Sequence, residues 1–309
     1  MFMTYVLLVV GFILLVKGAD FFVEGSSSIA KMFKIPSVVI GLTIVAMGTS
    51  APEAAVSITA GLSGNNDIAL SNITGSNIFN LLMVIGMCAL IRGVDTDKEI
   101  LKRDLPVNIG ATILLAIMAY DLKISQLEGL ILLLGMAVYL VVVVRKALQN
   151  RKSEEDEEVE KKSPLISIIY IIGGLFAIVY GGDLVVDKAS EIASAFGLSQ
   201  TLIGLTIVAM GTSLPELVTS VVATKKGETG LALGNAVGSS IFNILFILGI
   251  SSSLSPIQAS TEGFIDIVIL LGVTIVTYFF AKTGHKTIKK EGIICISAYI
   301  AYMVYAIIR

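Results

Sequence analysis

Long apolar runs separated by short polar breaks restrict this chain to a helical membrane protein. Ten such runs can be marked along the 309 residues, each of about the 20 residues that a helix needs to cross the ~30 Å hydrocarbon core of a bilayer. Only 15% of the residues are charged, against about 25% in a soluble domain. The sequence therefore predicts an all-α polytopic membrane protein with ten transmembrane helices. We place them near residues 3–30, 36–60, 68–91, 104–120, 125–148, 165–193, 199–223, 230–252, 262–282 and 290–308.

Composition excludes several other classes of protein. The net charge is −2 and the 22 Lys and Arg residues are spread thinly over the loops, so the chain offers no basic face to a nucleic acid. Cys88 and Cys295 lie inside apolar runs, without the spacing of a metal site or a disulfide framework. His285 is the only histidine, which excludes chemistry that needs paired histidines. The first run lacks a basic n-region and a small-residue cleavage site, so we expect a retained helix and not a signal peptide.

The distribution of Lys and Arg predicts the orientation in the membrane. With the N-terminus outside, the loops after the first, third, fifth, seventh and ninth helices would hold 18 of the 22 basic residues. Because such residues accumulate on the cytoplasmic side, both termini are expected to be extracellular, in a multi-pass protein of the cell membrane. We interpret residues 149–164, which include the charged stretch RKSEEDEEVEKK, as a cytoplasmic linker.

An internal repeat divides the chain into two related halves. The ten residues GLTIVAMGTS occur at 41–50 and again at 204–213, an offset of 163. We therefore expect a first five-helix repeat at 1–148 and a second one at 165–309. Because five is an odd number, the second repeat would enter the membrane upside down relative to the first. Two inverted repeats with a substrate site between them at the membrane midplane are typical of transporters.

Each copy of the repeat places a carboxylate beside a proline in the middle of an apolar run. The stretch GTSAPE ends at Glu53, and GTSLPE ends at Glu216. Proline frees the carbonyl four residues earlier, here those of Gly48 and Gly211, and an intramembrane glutamate is costly unless it is paired. No Lys or Arg stands at a matching depth in the sequence to pair with either glutamate. The two carboxylates and the freed carbonyls predict a site for positive charge.

Serine, threonine and asparagine supply further oxygen atoms in the same repeat. Ser76 and Asn80 stand four residues apart, as do Ser239 and Asn243, so each pair shares one helix face. Ca²⁺ takes six to eight oxygen ligands, whereas soft transition metals favour the Cys and His ligands that these motifs lack. One motif alone would indicate helix packing or a proline kink, but its duplication at identical spacing favours a binding site. The hydroxyls next to the prolines belong to Thr49, Ser50, Thr212 and Ser213.

These motifs resemble those of a known family. GTSAPE with GSNIFN at 75–80, and GTSLPE with GSSIFN at 238–243, are similar to the two repeats of the cation/calcium antiporter superfamily, and within it of the prokaryotic sodium/calcium exchangers. The resemblance implies that Glu53 and Glu216 are acidic ligands shared by Na⁺ and Ca²⁺, and that the first and sixth helices slide. It implies further ligands at Thr49, Ser50, Ser76, Asn80, Thr212, Ser213, Ser239 and Asn243, and backbone-carbonyl ligands at Ala46 and Ala209.

Two details of the second motif refine this resemblance. Many members of the family have aspartate where this chain has Asn243, so the pocket would hold two formal negative charges instead of three. This difference argues against potassium co-transport. Related proton/calcium exchangers carry a GNxxE-type second motif, whereas here Gly234 and Asn235 are followed by Ala-Val-Gly-Ser. That difference favours the sodium branch.

The predicted function is secondary antiport of Na⁺ against Ca²⁺ through one midplane site by alternating access. Two carboxylates balance one Ca²⁺ or two Na⁺, so either cargo neutralises the site. Proton/calcium antiport on the same site and, from another class, a passive cation channel remain as alternatives. An enzyme is not expected, because no histidine and no activated nucleophile accompany Glu53 and Glu216. The expected partners are Ca²⁺, Na⁺ and the lipid bilayer, with no cofactor, no nucleic acid and no obligate protein partner.

Overall fold

Helices form nearly the whole protein, as the apolar runs predict. The computed structural model describes residues 2–150, 163–198 and 203–309. The first half contains α1 (Phe2–Phe33), α2 (Ser37–Ile40), α3 (Ala46–Thr49), α4 (Ala51–Leu62), α5 (Asn66–Phe79), α6 (Ile85–Ile91), α7 (Leu105–Met118) and α8 (Gln126–Asn150). The second half contains α9 (Pro164–Ala195), α10 (Ala209–Gly211), α11 (Leu214–Lys225), α12 (Thr229–Phe242), α13 (Gly249–Leu254), α14 (Thr261–Lys282) and α15 (Lys289–Ile308).

Several helical stretches are suited to crossing a membrane. Within the described residues, seven are long and apolar enough, or eight if the bent segment from α2 to α4 forms one span. This confirms an all-α, multi-pass membrane protein. The predicted helix at 104–120 corresponds to α7, which has 14 residues, and the one predicted at 199–223 begins outside the described residues. Residues 151–162 of the predicted linker lie outside them as well, so the number of ten spans stays a prediction.

Wide π-helical turns interrupt the α-helices at repeated positions. Those in the described residues are Gly41–Val45, Asn80–Val84, Ile100–Asp104, Gly204–Val208 and Asn243–Leu248. Apart from the third, they form two pairs at the offset of the sequence repeat. Turns of this kind are rare and often occur at functional sites. The second pair begins at Asn80 and Asn243, so both residues lie where the helix widens.

Two central helices carry the Ser/Asn motifs, and longer helices surround them. Every residue of α12 from 231 to 242 is buried, and most of the span that contains α5 is buried too, whereas most residues of α1 and α9 are not. Small side chains allow neighbouring backbones to approach α12 closely. A Cβ atom added to Gly238 would lie 2.7 Å from the Cα atom of Leu42. The sequence repeat at 41–50 is thereby packed directly against α12.

The two longest helices, α1 and α9, each of 32 residues, pack against each other through a seam of glycines. A Cβ atom added to Gly18 would lie 2.8 Å from the carbonyl oxygen of Gly174, and one added to Gly174 would lie 2.7 Å from that of Gly18. The adjacent pair Gly173 and Gly174 in the sequence predicts that both glycines face α1, but that prediction is wrong for Gly173. A Cβ atom at Gly173 meets no described atom within 4 Å, because the helix turns this residue away from α1.

Two short antiparallel sheets connect the halves of the chain. Strand β1 (Val94–Asp95) pairs with β4 (Lys286–Thr287), and β2 (Lys123–Ile124) pairs with β3 (Ile257–Gln258). Each sheet therefore joins one loop of the first half to one loop of the second. Together with the helix contacts, the sheets hold the two copies of the repeat in one compact core.

Candidate cation-binding site

Each copy of the GTS-x-PE motif spans a break between two helices. Helices α3 and α4 meet at an angle of 50°, and Ser50 between them has a non-helical ψ of 11°. Ser213, between α10 and α11, likewise has a ψ of 5°. The prolines and glutamates that follow lie in the first turn of the new helix. Proline fits a first turn because no donor is needed there, and the partial positive charge of a helix N-terminus favours a carboxylate.

The two glutamates are fully buried and are held by serines of the opposite copy. Glu53 and Glu216 are both 0% exposed. Ser213 donates a hydrogen bond from Oγ to Oε1 of Glu53 at 2.9 Å, and Ser50 donates one to Oε1 of Glu216 at 2.8 Å. The two breaks therefore lie side by side. In each of these pairs, the serine and the glutamate are 160 or more positions apart along the chain, and the structure brings all four residues together.

Each glutamate also has one oxygen atom that receives no hydrogen bond. The serine of its own copy donates to the same Oε1 atom, Ser76 to Glu53 at 3.4 Å and Ser239 to Glu216 at 3.3 Å. The Oε2 atoms of both glutamates are buried without a partner. In the described part of the chain, neither carboxylate forms an ion pair with Lys or Arg. Two buried anionic oxygens without a donor are costly, and a bound cation would remove that cost.

Asn80 and Asn243 add further buried oxygens without partners. Both side chains are 0% exposed, and each lies one helical turn beyond the serine that contacts a glutamate. The amide oxygen and nitrogen of Asn80 and the amide oxygen of Asn243 have no hydrogen-bond partner. Because buried polar atoms are normally satisfied, unpartnered oxygens next to two carboxylates are the signature expected of a site that binds cations.

A second layer of asparagines fixes the backbone around the glutamates. Asn235 donates from Nδ2 to the Oγ of Ser220 at 3.0 Å and to the carbonyl oxygen of Glu216 at 3.4 Å. Its Oδ1 accepts a hydrogen bond from Thr49 at 3.1 Å. Asn72 repeats this pattern with Ser57, Glu53 and Thr212. The sequence pairs Asn72 with Asn235 at the repeat offset, which leaves hydrogen bonding between helices near the site as one role for them, and the structure shows such bonds.

The remaining expected ligands are the backbone carbonyls of two alanines. The carbonyl oxygen of Ala46 accepts a hydrogen bond from the hydroxyl of Ser239 at 3.4 Å, so it lies against the side chain of one other expected ligand. Ala209 is the first residue of α10. In the described residues, no group of three or more His, Cys, Asp or Glu that could hold a metal ion is found. The pocket consists of oxygen atoms from two carboxylates, hydroxyls, amides and backbone, which suits hard cations.

A cavity leads to this pocket along α9. It has a volume of about 360 Å³, and Thr212 lines it together with Pro52 and Pro215, the neighbours of the two glutamates. Asp183 and Asp187 of α9 line the same cavity. Two further carboxylates are thereby placed in one cavity with the predicted ligand Thr212.

The equivalent part of α1 is instead tied to a loop of the second half. Lys226 Nζ lies 2.6 Å from Oδ1 of Asp20 and 3.7 Å from Oε2 of Glu24. Ser27 donates a hydrogen bond to Oε1 of Glu228 at 2.6 Å. At the repeat offset, Asp20 and Glu24 correspond to Asp183 and Asp187. Asp187 also pairs with Lys188 of its own helix at 2.9 Å. The matching carboxylates therefore differ in that one pair lines a cavity, whereas the other is bound by a lysine from the opposite half.

Comparisons with known proteins agree with this geometry. The chain is 38% identical over 312 residues to the "Putative antiporter CaxA" of Alkalimonas amylolytica, covering 98% of both chains. It is 32% identical to the "Sodium/calcium exchanger MaX1" of Methanosarcina acetivorans, covering 97% of both. A solved structure of the sodium-calcium exchanger NCX_Mj, soaked with Na⁺ and Ca²⁺, superposes with a TM-score of 0.87 at 32% identity over 98% of both chains.

The sequence pattern of one protein family matches both halves of the chain. Residues 3–145 and 166–308 match the family "Sodium/calcium exchanger protein", so the match covers nearly the whole chain in two segments. The resemblance inferred from the motifs is thus confirmed, and the relatives are transporters. The chain belongs to the sodium/calcium exchanger protein family and is a prokaryotic-type cation/calcium antiporter.

Proposed function

We propose that the protein exchanges Na⁺ for Ca²⁺ across the cell membrane through one site at the membrane midplane, by alternating access. The observation that carries the proposal is the buried pair Glu53 and Glu216, each with an Oε2 atom that has no hydrogen-bond partner. Two negative charges accept one Ca²⁺ or two Na⁺ without residual charge. The site therefore does not hold Ca²⁺ and Na⁺ at the same time, and this mutual exclusion is the requirement for exchange.

The proposed ligands surround these glutamates. Serine hydroxyls and asparagine amides contribute from both halves, and the hydrogen bonds of Ser50 and Ser213 to the glutamates support a single shared pocket. No cofactor takes part. The proposed ion ligands are Glu53, Glu216, Asn80, Asn243, Thr49, Thr212, Ser50, Ser213, Ser76 and Ser239, with the backbone carbonyls of Ala46 and Ala209.

The proposed topology has ten spans in two inverted five-helix repeats, 1–148 and 165–309, joined by a cytoplasmic linker, with both termini extracellular. The strand pairings support it. If the chain crosses at every predicted helix, β1 and β4 lie on the cytoplasmic side, while β2 and β3 lie on the outer side. Each observed sheet joins two strands of the same side.

With this topology, the cavity along α9 opens to the outer side and the Lys226 contacts lie on the cytoplasmic side. The structure then corresponds to a state that admits ions from outside. Sliding of α1 and α9 past the other helices would close the cavity and open the cytoplasmic side. The close glycine contacts between Gly18 and Gly174 support movement of α1 and α9 as one unit.

The proposal is tested by uptake of ⁴⁵Ca²⁺ into proteoliposomes loaded with Na⁺ and diluted into Na⁺-free buffer, with pH and voltage clamped. We expect uptake that requires internal Na⁺. Uptake that instead requires a proton gradient would assign the protein to proton/calcium antiport. Uptake that needs no counter-ion gradient would assign it to the channels.

Matched variants test the site in the same assay. Glu53→Gln and Glu216→Gln each remove one charge from the pair and are expected to abolish Na⁺-dependent uptake. Glu262→Gln removes the same charge from the exposed start of α14 and is expected to leave uptake unchanged. Wild-type rates in either of the first two variants would contradict the shared site.

A further inference from the structure

An asparagine outside the expected ligand set connects the two halves beside the site. Asn77 follows Ser76 in α5 and is 0% exposed. Its Nδ2 atom donates a hydrogen bond to the carbonyl oxygen of Ser240 in α12 at 3.1 Å. Its Oδ1 atom accepts one from Nδ2 of Asn243 at 3.0 Å. Asn77 thus links the backbone carbonyl of Ser240 to the side chain of Asn243, a proposed ligand one turn farther along the chain. We call these two hydrogen bonds the relay.

The direction of this relay is fixed by its first member. A carbonyl oxygen can only accept, so Asn77 has to turn its NH₂ group toward Ser240. Its amide oxygen then faces Asn243, which in turn has to present its own NH₂ group. The Oδ1 atom of Asn243 is left on the other side of the amide, buried and without a partner.

We infer that Asn77 is a positioning residue that holds the amide of Asn243 with its oxygen available to the cation. This inference rests on the proposed function and adds a residue to it. Without Asn77, the amide of Asn243 could rotate by 180° and present its NH₂ group, which repels a cation. An amide that is already fixed does not adopt that orientation. The free-energy cost of ordering it is then not incurred when the cation binds.

The equivalent position in the other half lacks such a relay. The repeat offset pairs Asn77 with Ser240, whose hydroxyl donates to the carbonyl of Ala236 in its own helix at 2.9 Å. Accordingly, both amide atoms of Asn80 have no partner. The relay distinguishes two ligands that the sequence repeat makes alike. It also suits an amide at position 243, because an aspartate there would have no proton to donate to Oδ1 of Asn77.

The test is a double-mutant cycle on Ca²⁺ affinity, measured by titration calorimetry on the purified full-length protein. Asn77→Leu is expected to weaken Ca²⁺ binding about tenfold, the scale of one hydrogen bond that serves a charged site. In an Asn243→Ala background the same substitution is expected to cause no further loss. Independent, multiplicative losses would overturn the inference, because Asn77 would then act on folding and not through Asn243.

Two further variants distinguish a specific effect of Asn77 on Ca²⁺ binding from misfolding of the protein. Asn77→Ser introduces the residue that stands at the equivalent position of the second half, and it is expected to weaken binding as Asn77→Leu does. Asn108→Leu removes another buried amide, 1% exposed in α7, and is expected to leave Ca²⁺ affinity unchanged. If Asn108→Leu weakens binding as much as Asn77→Leu, the relay is not specific and the inference fails.

The wild-type protein separates failure of the inference from failure of the proposed function. Ca²⁺ binding without Na⁺-dependent uptake would contradict antiport, while the cycle would still report on the relay. Na⁺-dependent uptake with independent losses in the cycle would contradict the relay alone. A wild-type protein that binds no Ca²⁺ would overturn both.

Discussion

At the scale of single residues, the carboxylates are held by an exchange of partners between the halves. Ser50 of the first copy binds Glu216, and Ser213 of the second copy binds Glu53. Neither glutamate is positioned by its own half alone, so the pocket forms only when both copies are packed together. Hydrogen bonds to a charged acceptor are stronger than neutral ones, which makes these serines the main restraint on the orientation of each carboxylate.

Removal of either serine hydroxyl is therefore expected to weaken cation binding. Ser50→Ala and Ser213→Ala each lose a bond of about 1.5 kcal/mol to a charged group, which corresponds to roughly a tenfold lower affinity for Ca²⁺. Titration calorimetry with Ca²⁺ measures this. Ser252→Ala is the matched control, since Ser252 is equally buried but donates only to backbone carbonyls of its own helical segment. Unchanged affinity in both site variants would show that the serines do not orient the glutamates.

The sequence predicted these residues but not their pairing. The repeat identified Glu53, Glu216 and the serines, because a carboxylate beside a proline, repeated at the same spacing inside two apolar runs, is typical of a binding site. It could not assign Ser50 to Glu216, because both copies contain the same motif and either serine could serve either carboxylate. The same ambiguity concealed Asn77, whose counterpart in the second half is a serine. A residue that acts across the two halves has no signal in a repeat.

At the scale of helices, glycine determines how closely α1 and α9 approach. Backbone atoms of one helix contact backbone atoms of the other at Gly18 and Gly174. No larger residue fits there without a separation of the helices. We therefore expect α1 and α9 to move as one body, since sliding between them would bring a Cα atom against a carbonyl.

Two adjacent glycines of α9 provide a controlled test of this seam. Gly174→Ala places a Cβ atom 2.7 Å from the carbonyl oxygen of Gly18 and the amide nitrogen of Phe22, and we expect a loss of about 1–3 kcal/mol of stability. Gly173→Ala meets no described atom within 4 Å, and alanine gains up to about 1 kcal/mol over glycine in a helix. Thermal unfolding in detergent compares the two. Equal melting temperatures would contradict the seam.

The positions of the helices can be predicted from the sequence. Which face of a helix packs against its neighbour, and where a helix breaks, can be predicted only in part. The apolar runs predicted α1 within three residues at its C-terminal end. They did not distinguish Gly173 from Gly174, because four glycines in α9 spread over more than one face. The prolines were interpreted as residues in the middle of a helix that free the carbonyls of Gly48 and Gly211, but they lie in the first turn of new helices. The π-helical turns were not predicted, although four of the five in the described residues recur at the repeat offset.

At the scale of the whole molecule, the two ends of the proposed ion path differ. Along α9, Asp183 and Asp187 line a cavity, and Asp187 pairs with Lys188 of the same helix. Along α1, Asp20 and Glu24 are instead bound by Lys226 of the opposite half. The sequence predicted Lys226 only as a loop residue on the cytoplasmic side. Its partners, Asp20 and Glu24, lie about 200 residues away along the chain, so no local sequence pattern predicts these contacts.

The Lys226 contacts are expected to stabilise the observed state. Partly exposed ion pairs of this kind contribute about 0.2–1 kcal/mol, so Lys226→Met should reduce the ratio of this state to the opposite one by a factor of roughly 1.4 to 5. Val56 lines the cavity, and a cysteine placed there, with Cys88→Ala and Cys295→Ala, reports its opening through the rate of maleimide labelling. We expect slower labelling in Lys226→Met and an unchanged rate in Lys225→Met, which removes the neighbouring charge. Equal rates in the two variants would show that the ion pairs do not favour this state.

The lysine has a consequence for how the protein distinguishes the two sides of the membrane. In a perfectly duplicated, inverted chain, the state open to one side and the state open to the other would contain the same contacts and be degenerate in energy. The repeat offset places Ser63 opposite Lys226 and Asn65 opposite Glu228. Under the proposed inverted topology, these exchanges at one loop would contribute to a difference in energy between the two states. A few loop residues, with no part in binding ions, would thus set the direction in which the empty carrier rests.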